Sequence, residues 1–133
     1  MHVLIYGCTR LTDALAPALV ADGHDVTVVD ADPDRLAILG RQANVRTLCA
    51  SEPQMQDYLL DGGIENSGAF YALTGDDHLN VLLCQLASHI FNVPNVLCRM
   101  EDPQLRDLYG ELGVSIFDNG PDFLGSARDA LEE

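Results

Sequence analysis

The chain has 133 residues, 47% of them hydrophobic, with 21 acidic against 7 basic side chains and a formal net charge of −14. This is enough for one ordinary domain with its own core. It is too short for a dinucleotide-binding domain joined to a substrate domain of similar size. All seven basic residues are arginine, and a surface this acidic repels nucleic-acid phosphates and anionic lipid, which argues against direct binding to either.

In chain order, short apolar runs alternate with helical patterns. Val3, Leu4, Ile5 and Tyr6 read as a buried strand, followed by a helix over residues 11–21 with Leu11, Ala14, Leu15, Ala18 and Leu19 on one face. Pro17 lies inside that helix, tolerated near the first turn and otherwise a kink. Residues 26–29 form a second strand ending on Asp30, and Pro33 opens a helix to about Arg41. A third strand over residues 45–49 leads to a helix over 53–61. Residues 69–73 are a fourth strand. The helix over 77–90 follows, with Leu79, Leu82, Leu83, Leu86 and Ile90 expected to face inward. A fifth strand over 95–99, a helix over 103–112, a sixth strand over 114–117 and a helix over 121–131 complete the pattern. Strand–helix repeated six times, with nearly continuous apolar strands, predicts an α/β Rossmann-type doubly wound parallel six-stranded sheet, one domain over residues 1–133.

In such a fold, ligands sit at the carboxyl ends of the strands. The dinucleotide fingerprint places glycine at the first, third and sixth positions of the first turn. The turn here reads Gly7, Cys8, Thr9, Arg10, Leu11, Thr12, so only Gly7 is kept. A side chain at Thr9 crowds the approach of a pyrophosphate, although its hydroxyl can donate to a phosphate. Thr12 is expected to push the helix outward slightly. The helix N-terminus still offers N–H groups to an anion, and Arg10 adds charge there. The alternative is an empty, structural loop.

Asp30 ends the second strand, about 20 residues beyond the loop, where the fingerprint expects an acid for the ribose hydroxyls. A carboxylate there repels a 2′-phosphate and disfavours NADP. It can also serve as a turn residue or helix cap, a role for which Asp32 competes. Thr74, Gly75, Asp76 and Asp77 follow the fourth strand, and either aspartate is a candidate cap or ligand contact. Asn80 lies three residues after Asp77 on the same helix face. Arg99 ends the fifth strand, placed to touch a ligand or an interface, or to pair with Glu101 or Asp102.

No spacing supports a Ser/His/Asp or Cys/His catalytic set, and His2, His24, His78 and His89 are scattered, so neither an enzyme nor a metal site is expected. Cys8, Cys49, Cys84 and Cys98 form no C-x-x-C pair and read as reduced, mostly buried thiols. The start lacks a basic leader and no run of about 18 apolar residues occurs, so the expectation is a cytoplasmic protein, peripheral to the inner membrane face at most through a partner. The acidity has two open readings, a high-salt cytoplasm or drift toward Arg over Lys.

Three segments together resemble a known family. They are Gly23-His24-Asp25-Val26-Thr27-Val28-Val29-Asp30-Ala31-Asp32-Pro33, then Ala72-Leu73-Thr74-Gly75-Asp76-Asp77 with Asn80, then Arg99 through Pro103. The chain resembles, over nearly its whole length, the N-terminal nucleotide-binding domain (RCK N, TrkA-N) of regulators of potassium conductance of the TrkA and KtrA type. The resemblance implies binding of an adenine nucleotide (ATP, ADP or AMP) or NAD(H), action on a membrane potassium transporter subunit, and a homodimer or larger ring. It places Gly7, Thr9, Arg10 and Thr12 at the phosphate loop and Asp30 at the ribose. Thr74, Asp77 and Asn80 match the motif after the fourth strand, and Arg99 matches the arginine after the fifth. The family's Gly-Asp-Ala-Thr after the third strand aligns with Leu48, Cys49, Ala50 and Ser51, so Cys49 replaces the aspartate near the adenine. Glu52 stands in if the alignment slips.

The expected function is therefore that of a cytosolic regulatory nucleotide-binding subunit or domain controlling a membrane potassium uptake system. The alternative is a degenerate Rossmann interaction module that binds no nucleotide. A small NAD-dependent oxidoreductase is disfavoured by the length and the altered loop.

Overall fold

The computed structural model describes residues 1–50, 59–60, 62–111, 116–117 and 123–129. Strands β1 (His2–Tyr6), β2 (Asp25–Asp30), β3 (Arg46–Cys49), β4 (Ala69–Ala72) and β5 (Asn95–Arg99) are all parallel and stand in the order β3-β2-β1-β4-β5. At the outer edge of β5, Ile116–Phe117 (β6) pair in parallel with Cys98 and Arg99. The five longer strands carry the sheet. The sixth segment expected from the sequence is reduced to these two residues among those described.

β1 and β4 are buried along their central residues on both faces, as their unbroken apolar runs require. On one face, Val3, Ile5, Val26, Val28, Ala69 and Tyr71 meet Leu15, Ala16 and Leu19 of α1 (Arg10–Ala21) and Leu36 and Leu39 of α2 (Pro33–Gln42). Ala127 of α5 (Phe123–Asp129) joins this layer, where its carbonyl accepts the Tyr71 hydroxyl at 2.5 Å. On the other face, Leu4, Val29, Phe70, Ala72 and Cys98 meet Leu59, Ile64 and α3 (Asp77–Gln85). Each buried Val, Leu, Ile or Phe among these contributes about 1.5–3 kcal/mol relative to exposure.

Helix α1 runs through Pro17, which forfeits the bond to the Asp13 carbonyl one turn earlier. Of the inward set expected for helix α3, Leu79, Leu83 and Leu86 pack on the second layer, but Leu82 and Ile90 do not. Leu82 and Ile90 are 48% and 58% exposed, whereas Asn80, Val81, Leu83, Cys84 and Ala87 are buried. The inward stripe is rotated because Asn80 must face the sheet to make its hydrogen bonds. The last turn, Leu86–Ile90, is also wound as a π-helix, which shifts the phase again. Helix α4 (Pro103–Glu111) buries none of its residues and leans on the second layer through Leu105 and Tyr109.

From β1 the chain crosses to β2 and β3 on one side, and after β3 it returns to β4 on the other. The crevice between the ends of β1 and β4 is therefore the topological switch point. The expected helix over residues 53–61 and Glu52 lie outside the described residues, apart from the helical Leu59 and Leu60.

Candidate functional site at the switch point

Gly7 leaves β1 at φ +111, a conformation that side chains rarely adopt. Its N–H donates to the Val29 carbonyl at 2.7 Å. A Cβ on Gly7 would lie 2.7 Å from the Thr74 amide nitrogen and 2.8 Å from the Leu73 carbonyl carbon. Backbone from the end of β4 thus presses against the turn, and glycine is required twice over.

The rest of the turn is held by its own side chains. The Cys8 N–H donates to Asp30 Oδ2 at 2.5 Å. The Thr9 N–H donates to Thr12 Oγ1 at 3.2 Å, and the Thr12 hydroxyl donates to the Gly7 carbonyl. Thr12 is fully buried. At the third glycine's position it bridges the turn internally. The Thr9 hydroxyl, expected to be available to a phosphate, donates to the Leu73 carbonyl at 3.1 Å. Arg10 opens α1, is exposed, and has no acidic partner among the described residues. With the amides of the first helical turn, it is the uncommitted positive feature of the crevice.

Asp30 accepts a second bond, from the Asp32 N–H to Oδ1 at 2.8 Å. A carboxylate offers about four lone-pair positions, so two remain for other donors. Asp32 takes the capping role on α2, accepting the Asp34 and Arg35 amides. Cys49 ends β3 opposite Asp30 and is exposed, its thiol 3.7 Å from the Ala31 carbonyl. Cys49 is thus the strand neighbour of Asp30.

The motif after β4 is structural in its detail. Asn80 Oδ1 accepts the Thr74 N–H at 3.0 Å and the Thr74 hydroxyl at 2.6 Å. Its Nδ2 donates to the carbonyls of Thr74 and Arg99, each at 3.0 Å. One buried amide thus fastens the ends of β4 and β5 together. Asp76 caps α3 through the His78 and Leu79 amides. Asp77 does not cap. Its two carboxylate oxygens accept the Glu101 and Asp102 amides, both at 3.0 Å, tying the loop after β5 to α3. Arg99 pairs with Glu101 and donates from Nη1 to the Leu73 and Thr74 carbonyls at 3.4 and 3.2 Å. Its side chain is 14% exposed, and its Nε is buried without an acceptor.

Two participants had no signal in the sequence. Arg35 reaches back from α2, donating from Nε to the Cys8 carbonyl and from Nη2 to Asp13, each at 3.1 Å. Leu73 supplies the carbonyl shared by Thr9 and Arg99. Neither role follows from residue type or spacing, because backbone carbonyls are present everywhere and Arg35 acts across 27 residues. Cys8 lies inside this network. Burial first, and the Asp13 charge second, push its thiol above its ordinary value. Among the described residues no group of three or more His, Cys, Asp or Glu is arranged to hold a metal ion, and no helix is long and apolar enough to cross a membrane.

The sequence profile of the TrkA-N domain matches residues 3–117. The chain belongs to the TrkA-N domain family. Relatives of this family include the Trk system potassium uptake protein TrkA of Streptomyces coelicolor, 39% identical over 86% of this chain and 51% of that protein. The TrkA of Vibrio alginolyticus is 33% identical over 78% of this chain and 22% of its own length. The chain thus spans about half or less of the relatives it matches. Among solved structures, the AMP-bound C-terminal domain of Shewanella denitrificans Kef superposes with a TM-score of 0.75 at 18% identity, over 97% of this chain and 76% of that one. The TrkA-N domain of the Escherichia coli inner membrane protein ybaL superposes with a TM-score of 0.74 at 16% identity, over 99% and 96%. These likenesses establish a common TrkA-N fold.

Proposed function

We propose that this TrkA-N chain is the cytoplasmic nucleotide-binding part of a regulator of membrane potassium uptake. The observation that carries the reading is Asp30. Its carboxylate is fixed at the end of β2 by the Cys8 and Asp32 amides, with acceptor capacity to spare, beside a helix N-terminus that carries the exposed Arg10. In this reading the ribose hydroxyls donate to Asp30, the adenine lies toward Cys49, and phosphate meets Arg10 and the first amides of α1. Asn80, Asp77 and Arg99 hold the shape of the crevice. The protein regulates and does not catalyse. Ligand occupancy is read out by a membrane potassium transporter subunit, with this chain acting as a homodimer or larger ring at the inner membrane face. The named relatives, potassium uptake proteins, support this partner.

A second reading has its own support. Thr12 and Asp30 consume turn amides that a phosphate otherwise uses, as in an assembly module that has given up its ligand. Co-purification of the chain with the membrane subunit of a potassium transporter from its own cell, with and without adenine nucleotide, separates the two. Nucleotide-dependent association supports the sensor, and nucleotide-indifferent association supports the module.

A further inference from the structure

If the crevice binds a nucleotide as proposed above, its internal hydrogen bonds also select the class of nucleotide. The crevice has two halves. One half holds Asp30, Cys49, Arg10 and the start of α1. The other begins at the end of β4, with Leu73, Thr74 and Arg99. A ligand with one nucleoside needs only the first half, an acceptor for its ribose and donors for its phosphate. A dinucleotide must also carry its pyrophosphate over the third position of the turn and lay its second nucleoside against the end of β4.

In this chain that passage is barred. The Thr9 hydroxyl spans the gap and donates to the Leu73 carbonyl at 3.1 Å. The Thr9 amide is held from behind by Thr12 Oγ1 at 3.2 Å, and Thr12 is itself locked by its bond to the Gly7 carbonyl. The Thr9 side chain therefore cannot turn aside without giving up a bond, and its amide is not presented to a second phosphate. Arg99 adds to the closure by donating to the same Leu73 and Thr74 carbonyls while paired with Glu101. The amides of Arg10 and Leu11, in the first helical turn, have no acceptor within the helix and stay available to a single phosphate.

We infer that the Thr9 side chain, fastened to the Leu73 carbonyl, restricts the site to adenine mononucleotides and excludes dinucleotides such as NAD(H). Specificity here comes from an obstruction on the route of the second nucleoside as much as from contacts to the first.

The experiment is calorimetric titration of the whole chain with AMP and with NAD, for the wild type, Thr9→Gly and Thr9→Ser. Folding of each variant is checked by circular dichroism. The wild type is expected to bind AMP at least about tenfold more tightly than NAD, and Thr9→Gly to bring the ratio of the two affinities close to one. Thr9→Ser keeps the hydroxyl and is expected to keep the preference. Equal binding of AMP and NAD by the wild type overturns the selectivity while leaving the nucleotide site standing, and so does a preference unchanged in Thr9→Gly. Binding of neither ligand by the folded wild type overturns both.

Discussion

The Asp30 carboxylate accepts the Cys8 amide at 2.5 Å, so the acid at the end of β2 and the turn after β1 move as one body. The bond holds the carboxylate through the chain's own backbone, and an acceptor fixed in this way lowers the ordering cost of binding. Replacing Asp30 with Ala is expected to weaken adenine-nucleotide binding by about 1.5–3 kcal/mol, the scale of hydrogen bonds to a charged acceptor. Titration of the variant checks this, and an affinity equal to that of the wild type would remove Asp30 from the ligand.

Asn80 is expected to matter for stability more than for ligand contact. Truncation to Ala leaves the Thr74 amide and the Arg99 carbonyl without this partner and takes one of two donors from the Thr74 carbonyl, for a loss of about 2–3 kcal/mol. Urea unfolding measures it. A loss below about 1 kcal/mol would mean that water or a shifted backbone satisfies these groups.

Much of this was legible in the sequence, and the limits have a physical pattern. The alternation of strands and helices could be read because the strands of a doubly wound sheet are apolar on both faces, as in Val26-Thr27-Val28-Val29. The loss of two loop glycines at Thr9 and Thr12 was also visible, and so was Asp30. What those threonines do was not visible, because their hydroxyls bond carbonyls whose positions depend on the folded sheet. Asp76 and Asp77 stand side by side and could not be assigned different roles, although one caps α3 and the other binds the loop after β5. Leu82 and Ile90 imitate part of an inward stripe, and only the burial of Asn80 shows that the helix is turned.

Gly7→Ala tests the close approach of β4 to the turn. The positive φ and a Cβ 2.7 Å from the Thr74 nitrogen together predict a loss of about 3 kcal/mol or more. Thermal unfolding is the check, and a melting temperature within a degree or two of the wild type would show that the turn relaxes freely.

Tyr71 provides a pH signature. Burial raises its phenol well above the ordinary 10.0. A raised folded value means that the unfolded chain loses its proton first. The stability associated with the neutral phenol is therefore complete below pH 10.0 and declines as pH rises beyond it. Tyr71→Phe also strips the Ala127 carbonyl of its donor, at about 1–2 kcal/mol near neutral pH. The variant is expected to lose less further stability than the wild type above pH 10.0, as denaturant melts across pH will show. Parallel alkaline slopes would contradict this assignment.

Arg128 of α5 holds Asp22, at the end of α1, through two guanidinium bonds, and the hydrogen bond to Arg128 lowers the Asp22 carboxyl below its ordinary 3.8. A depressed folded value places the stabilisation above 3.8 and removes it as pH falls through the lower folded value. Arg128→Gln is therefore expected to be slightly less stable than the wild type at neutral pH and to converge with it in strong acid. A difference that persists undiminished in acid would assign the effect to packing of the arginine stem.

In the reading proposed above, the crevice beside Asp30 and Arg10 takes an adenine nucleotide. The most direct measurement is calorimetric titration of the folded chain with AMP, ADP, ATP, NAD and NADH, in parallel with Asp30→Ala. Saturable binding of an adenine nucleotide by the wild type, sharply weakened in Asp30→Ala, is the predicted result. No binding of any of the five by a folded protein would contradict the account and leave the closed turn as the relic of a lost site.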